Sequence, residues 1–147
     1  MKDVHIVVGV LAIALNSAAA LYGAWCWYRV QQSQWFWRIL RAGQMAVVVQ
    51  AALGGVLVLL GHKPPSLHVI YGLLPLLISF LAEQLRVASA QMVLDARGFQ
   101  SASEVGKLPK DEQQAVVIAI LHRELGVMVL LAFVIVVLLV RAAGTAG

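Results

Sequence analysis

Residues 4–28 read VHIVVGVLAIALNSAAALYGAWCWY. The run is 25 residues long and contains no Lys, Arg, Asp or Glu. An α-helix rises about 1.5 Å per residue, so this run spans about 37 Å as a helix. About 20 mostly apolar residues suffice to cross the hydrocarbon core of a bilayer. The stretch therefore reads as a membrane-spanning helix. Met1-Lys2-Asp3 ahead of it is a poor signal-peptide n-region, so the helix is expected to be retained.

Three further segments have the same character: Phe36 to Leu60, Ser66 to about Leu85, and about Ala115 to Val140. The whole chain is 61% hydrophobic and 12% charged, with a mean hydropathy of +0.86. Soluble domains carry about twice that share of charge. The expected fold is an all-α integral membrane four-helix bundle, a single domain over residues 1–147. The net charge of +4 does not point to nucleic acid, because the basic residues flank the apolar segments as topogenic signals do.

Those flanking charges also orient the bundle. Arg29, Arg38, Arg41, Arg86, Arg97, Lys107, Lys110 and Arg123 border the first and third connections. Lys2, Lys63 and Arg141 lie at the other end. The positive-inside rule then puts both termini on the outer side of a cell membrane, a bacterial inner membrane by expectation. Trp25, Trp27, Trp35, Phe36 and Trp37 gather at the inner end and read as an interfacial aromatic belt.

The third connection carries its own pattern. Val87, Met92, Val93 and Leu94 alternate at helical spacing with Arg86, Gln91, Asp95 and Arg97. Gly98 reads as a helix stop, and Pro109 followed by Asp111 and Glu112 reads as a start. Helices three and four are expected to extend into the cytoplasm as a short hairpin.

Three of the four histidines share the frame His-x-x-x-Gly: His5 with Gly9, His68 with Gly72, and His122 with Gly126. Residues four apart lie on one helix face, so each glycine opens a notch beside an imidazole. A planar group such as haem, held through its iron by histidine, needs that arrangement. The topology separates the three. His5 and His68 start helices that run the same way, so both fall at the outer end. Each heads a stripe of small or polar residues: Gly9, Ala12, Asn16, Ala19 or Ala20 and Gly23 on the first helix, Gly72, Pro75, Ser79 and Ala82 on the third. Such stripes also mark plain helix packing in membranes. His122 falls at the inner end beside Arg123 and Glu124, where an Arg86–Glu124 or Glu83–Arg123 pair would explain the charges; only a homodimer would let two His122 residues share a second haem. His62 reads as a loop residue. Cys26, the one cysteine, excludes an intrachain disulfide.

Several short motifs follow in order: His5; Trp25-Cys26-Trp27-Tyr28-Arg29; Gln50-Ala51-Ala52-Leu53-Gly54-Gly55; and Pro65-Ser66-Leu67-His68. In this order and spacing, residues 5 to about 85 resemble one half, a single repeat, of the haem A synthase family. The resemblance implies that His5 and His68 are axial ligands of one haem, expected to be b-type. It implies that Gly9, Gly72, Gln50, Gly54 and Gly55 line or pack against the cofactor. The chain has neither the family's outer cysteine pair nor its second repeat, which argues against synthase activity. Electron transfer or haem handling is the expected role.

Two other classes compete. A cofactor-free accessory or scaffolding subunit would use the small stripes for packing and the hairpin for docking. A small transporter would need a membrane-buried carboxylate, but the first helix has none after Asp3, and Glu83 sits near an interface. No phosphate loop, nucleophile triad or paired-carboxylate site is present. The lipid bilayer is the one partner composition demands; a homodimer, or a place in a larger respiratory or membrane complex, is compatible with it.

Overall fold

The computed structural model describes residues 1–146, and their regular structure is entirely helical. The elements are α1 (Lys2–Tyr28), α2 (Gln34–Leu59), α3 (Ser66–Ala96), a short α4 (Ala102–Val105) and α5 (Lys110–Gly144). α1, α2, α3 and α5 are each long and apolar enough to cross a membrane. At most 39% of the most apolar window of any span is buried by the bundle itself. The remaining apolar surface is far larger than a soluble monomer exposes, so a lipid environment is the natural complement.

Helix ends follow local chemistry. Pro65 and Pro109, held at φ −56° and −55° with extended ψ, precede α3 and α5. Asp111 and Glu112 complement the positive end of α5. Three helices stop with the same paired backbone bonds. At α2, Gly61 N–H reaches Val58 O and His62 N–H reaches Leu57 O. At α3, Gly98 N–H reaches Asp95 O and Phe99 N–H reaches Leu94 O. At α1, Val30 N–H reaches Trp27 O and Gln31 N–H reaches Cys26 O. This stop needs one residue in the left-handed region. Gly61 (φ +92°) and Gly98 (φ +78°) adopt it freely, whereas Val30 (φ +52°) does so with a β-branched side chain.

α1 packs between α2 and α5, and α3 packs on α5 and more lightly on α2. α1 and α3 therefore stand diagonally across the bundle. The small stripe of α1 is its buried face: Ala12, Asn16, Ala19, Ala20 and Gly23 are all covered. Pro75, Ser79 and Ala82 do the same on α3. Pro75 has no N–H for the carbonyl one turn before it, and Ser79 Oγ donates to Pro75 O at 2.8 Å.

The aromatic belt needs correction at one residue. Phe36 is fully buried, in a core with Cys26, Leu40, Met128 and Val129. Gly23 makes the space: a Cβ there would lie 2.6 Å from Val129 Cγ2 and would also collide with the Phe36 ring. Trp27 lays one ring face on α5 and is otherwise exposed. Trp25 and Trp35 remain exposed, each under an arginine, Arg29 and Arg38.

α3 continues unbroken past Leu85 to Ala96, and α5 begins ahead of Ala115. Their extension has a small core of its own, Leu94, Val105 and Val116, flanked by Phe99, Leu108 and Ile120. α4 supplies Val105; four residues are too few to leave a periodic signature in the sequence.

Candidate functional site

At the end of the bundle where α1 and α3 begin, His5 and His68 meet. Their ring centroids are 6.1 Å apart with planes inclined at 62°. The parallel course of α1 and α3 brings the two imidazoles to one level.

Each ring has a second partner. His68 Nδ1 lies 2.9 Å from Ala142 O near the end of α5. A carbonyl only accepts, so Nδ1–H donates, and in the neutral imidazole Nε2 carries the lone pair. His5 Nε2 lies 3.1 Å from Gln50 Nε2 on α2. The amide nitrogen donates, which places the proton of a neutral His5 on Nδ1. That Nδ1 is buried without a partner, and so is Gln50 Oε1. An unmet buried polar atom costs about 1–3 kcal/mol, so this end of the bundle holds hydrogen-bonding capacity that the protein does not use internally.

The glycines divide into two kinds. Gly54 lets His5 lie against α2, since a Cβ there would sit 3.3 Å from His5 Cε1. Gly9 lets the Gln50 amide pass α1, since a Cβ there would sit 2.8 Å from Gln50 Nε2. The notch beside His5 is thus filled by Gln50. Gly55 and Gly72 face open space, with nothing within 4 Å of where a Cβ would stand. They lie on α2 and α3, the lightly packed pair of helices.

His122 is placed elsewhere, at the opposite end. Its ring stacks on Trp27 at 5.2 Å and 7°. The Gly126 notch receives that indole: a Cβ at 126 would lie 2.7 Å from Trp27 Nε1. The third His-x-x-x-Gly frame is therefore filled by a side chain of α1. His62 is exposed in the α2–α3 turn.

The carboxylates at that opposite end are occupied. Glu83 accepts from Arg41 with both oxygens and from Gln44 at 3.2 Å, and Arg86 Nε stands 3.3 Å away. Arg86 also reaches Glu124 at 3.8 Å and covers the Trp37 ring. Of the two pairings the sequence allows, Arg86–Glu124 forms, while Arg123 turns to Met92. A carboxylate held by two guanidiniums is poorly suited to releasing and rebinding protons for transport.

Two features were not legible in the sequence. The Ala142 carbonyl is backbone and has no residue signature. Asn16 stands in the α1 stripe, fully buried, with its Nδ2 on Ala12 O at 2.8 Å and its Oδ1 without a partner. Its amide lies against Gly43 of α2.

Among the described residues no group of three or more His, Cys, Asp or Glu side chains comes together. No protein family, curated protein or solved structure matches the chain.

Proposed function

We propose that this chain is a small haem-binding membrane protein with His5 and His68 as the two axial ligands, acting in electron transfer or haem handling. The 6.1 Å separation of the two imidazoles carries the reading. A metal–imidazole bond is about 2 Å long and the ring centre lies about 1 Å beyond the nitrogen, so one iron between two rings separates their centres by about 6 Å.

The residues around the pair fit the group. The Ala142 carbonyl fixes the His68 tautomer that leaves Nε2 free to ligate. The unpartnered atoms of His5 and Gln50 mark an unfinished polar site. Gly55 and Gly72 border open space on α2 and α3. Haem, held by His5 and His68, would supply one-electron transfer. His5 would hold the group through Nδ1, whose lone pair becomes available when the Gln50 amide turns to present Oε1 to His5 Nε2–H, and the bundle's apolar side chains exclude water and raise the cost of charge at the site. By the positive-inside rule the histidine end faces outward and the arginine-rich end faces the cytoplasm.

One observation favours a different reading. Gln50 already occupies the Gly9 notch, as it would in a cofactor-free subunit where the histidines only tie four helices together. Absorption spectroscopy separates the two. The purified protein is expected to show a low-spin Soret band that sharpens and shifts on reduction. His5→Ala and His68→Ala should each abolish it, while His62→Ala and His122→Ala keep it. A colourless protein with native helicity that shows no spectral change on adding haem would sink the proposal.

A further inference from the structure

At the arginine-rich end, α3 and α5 enclose a groove of about 170 Å³ on the outside of the bundle. Its lining includes Met92 and Arg123 at one end, and Leu85, Val127, Leu130 and Leu131 towards the middle of the bundle. The groove is graded along its length. From Arg123 to Leu131 is eight residues of α5, about 12 Å of helix, and beyond Arg123 the α5 wall is apolar.

Arg123 differs from its neighbours in that region. Arg41 and Arg86 are neutralised by Glu83 and Glu124. Among the described residues, Arg123 has no carboxylate partner, and its one polar contact is Met92 Sδ at 3.5 Å. A thioether is a weak acceptor and leaves the guanidinium's charge unbalanced. A planar guanidinium with free donors is well matched to a phosphate. A cation at the helix-bundle end followed by an apolar channel running towards the middle of the membrane has the polarity of a phospholipid in that leaflet.

We infer that this groove binds one anionic phospholipid, its phosphate on Arg123 and an acyl chain along Val127, Leu130 and Leu131. The occupant is a lipid because the charge sits at one end only and the rest of the lining is apolar except Ser89, whose hydroxyl is spent on Arg86 O. It is anionic because Arg123 is the unbalanced cation there, and such lipids concentrate beside exposed basic residues. The histidine pair at the other end of the bundle takes no part.

Native mass spectrometry of the delipidated, detergent-purified full chain tests this, with phosphatidylglycerol and phosphatidylcholine added at equal concentration. The wild-type protein is expected to retain one phosphatidylglycerol about fivefold more strongly than phosphatidylcholine, the increment of one arginine. Arg123→Gln should lose that preference and Arg123→Lys should keep part of it. Arg38→Gln, at the same end but outside the groove, should leave it intact. Ala88→Trp, which fills the groove and keeps the charge, should weaken both lipids. Equal binding of the two lipids by wild type, an unchanged preference in Arg123→Gln, or full retention by Ala88→Trp overturns the inference. So does a wild-type dimer that Arg123→Gln dissociates, because a second copy would then cover the groove.

Discussion

At the scale of single residues, the histidine end depends on which atom each imidazole presents. Gln50 is the side chain that holds His5, and only the absence of a Cβ at Gly9 lets its amide arrive. Gln50→Leu removes that hydrogen bond and leaves Gln50's space apolar. It is expected to broaden the spectrum of a haem-loaded protein by freeing the His5 ring, with global helicity unchanged by circular dichroism. Gly54→Leu is the steric counterpart. Its side chain enters the space of His5, and haem retention during purification should fall below that of Gln50→Leu. At the other end, Gly126→Leu drives the Trp27 indole off His122. Overpacking of this kind costs about 1–3 kcal/mol, visible as a lower midpoint in thermal unfolding and a shifted tryptophan emission.

The elements show local rules and one exception. Two helices end on a glycine in the left-handed region, while α1 ends on Val30 in the same conformation. A left-handed L-residue costs about 1–2 kcal/mol. Val30→Gly should therefore stabilise the protein, by about 1 kcal/mol after the added freedom of the unfolded glycine is subtracted. A lower unfolding midpoint in this variant would show that Val30 contributes packing that outweighs its strain. The spans, the α3–α5 extension and its turn residues were legible, because apolar run length, Gly98 and Pro109 act through local sterics. α4 was not, since its four residues acquire helical form by packing Val105 against Leu94 and Val116. The inward turn of Phe36 was equally hidden. An aromatic near a membrane interface looks the same in sequence whether it faces lipid or a glycine on the neighbouring helix.

For the molecule as a whole, the two ends have opposite chemistry. One gathers His5, His68, Gln50 and the α5 terminus with Arg141; the other gathers the remaining arginines, Glu83, Glu124 and all four tryptophans. If charge bias sets the orientation, a cysteine placed at Lys63 should react with a membrane-impermeant maleimide in intact cells, and one at Lys107 only after permeabilisation. Cys26 is buried and should stay silent in both. The reverse pattern would invert the topology and move the histidine end to the cytoplasmic face. Glu83→Gln should lower thermal stability, because it removes the charge that joins Arg41 to Arg86 across α2 and α3.

By itself the sequence determined that this chain is helical and apolar enough to cross a membrane four times, and where its helices break. Run length, charge and turn residues act locally, so they survive without a fold. It also offered three His-x-x-x-Gly frames and, through helix direction, set His5 and His68 at one end and His122 at the other. Only tertiary structure decided what each notch receives, because the notch beside each histidine takes whatever the neighbouring helix presents. Gln50 fills the first, open space borders the second, and Trp27 fills the third. The meeting of His5 with His68, and of His68 with the Ala142 carbonyl, likewise depends on helices that are distant in sequence lying side by side.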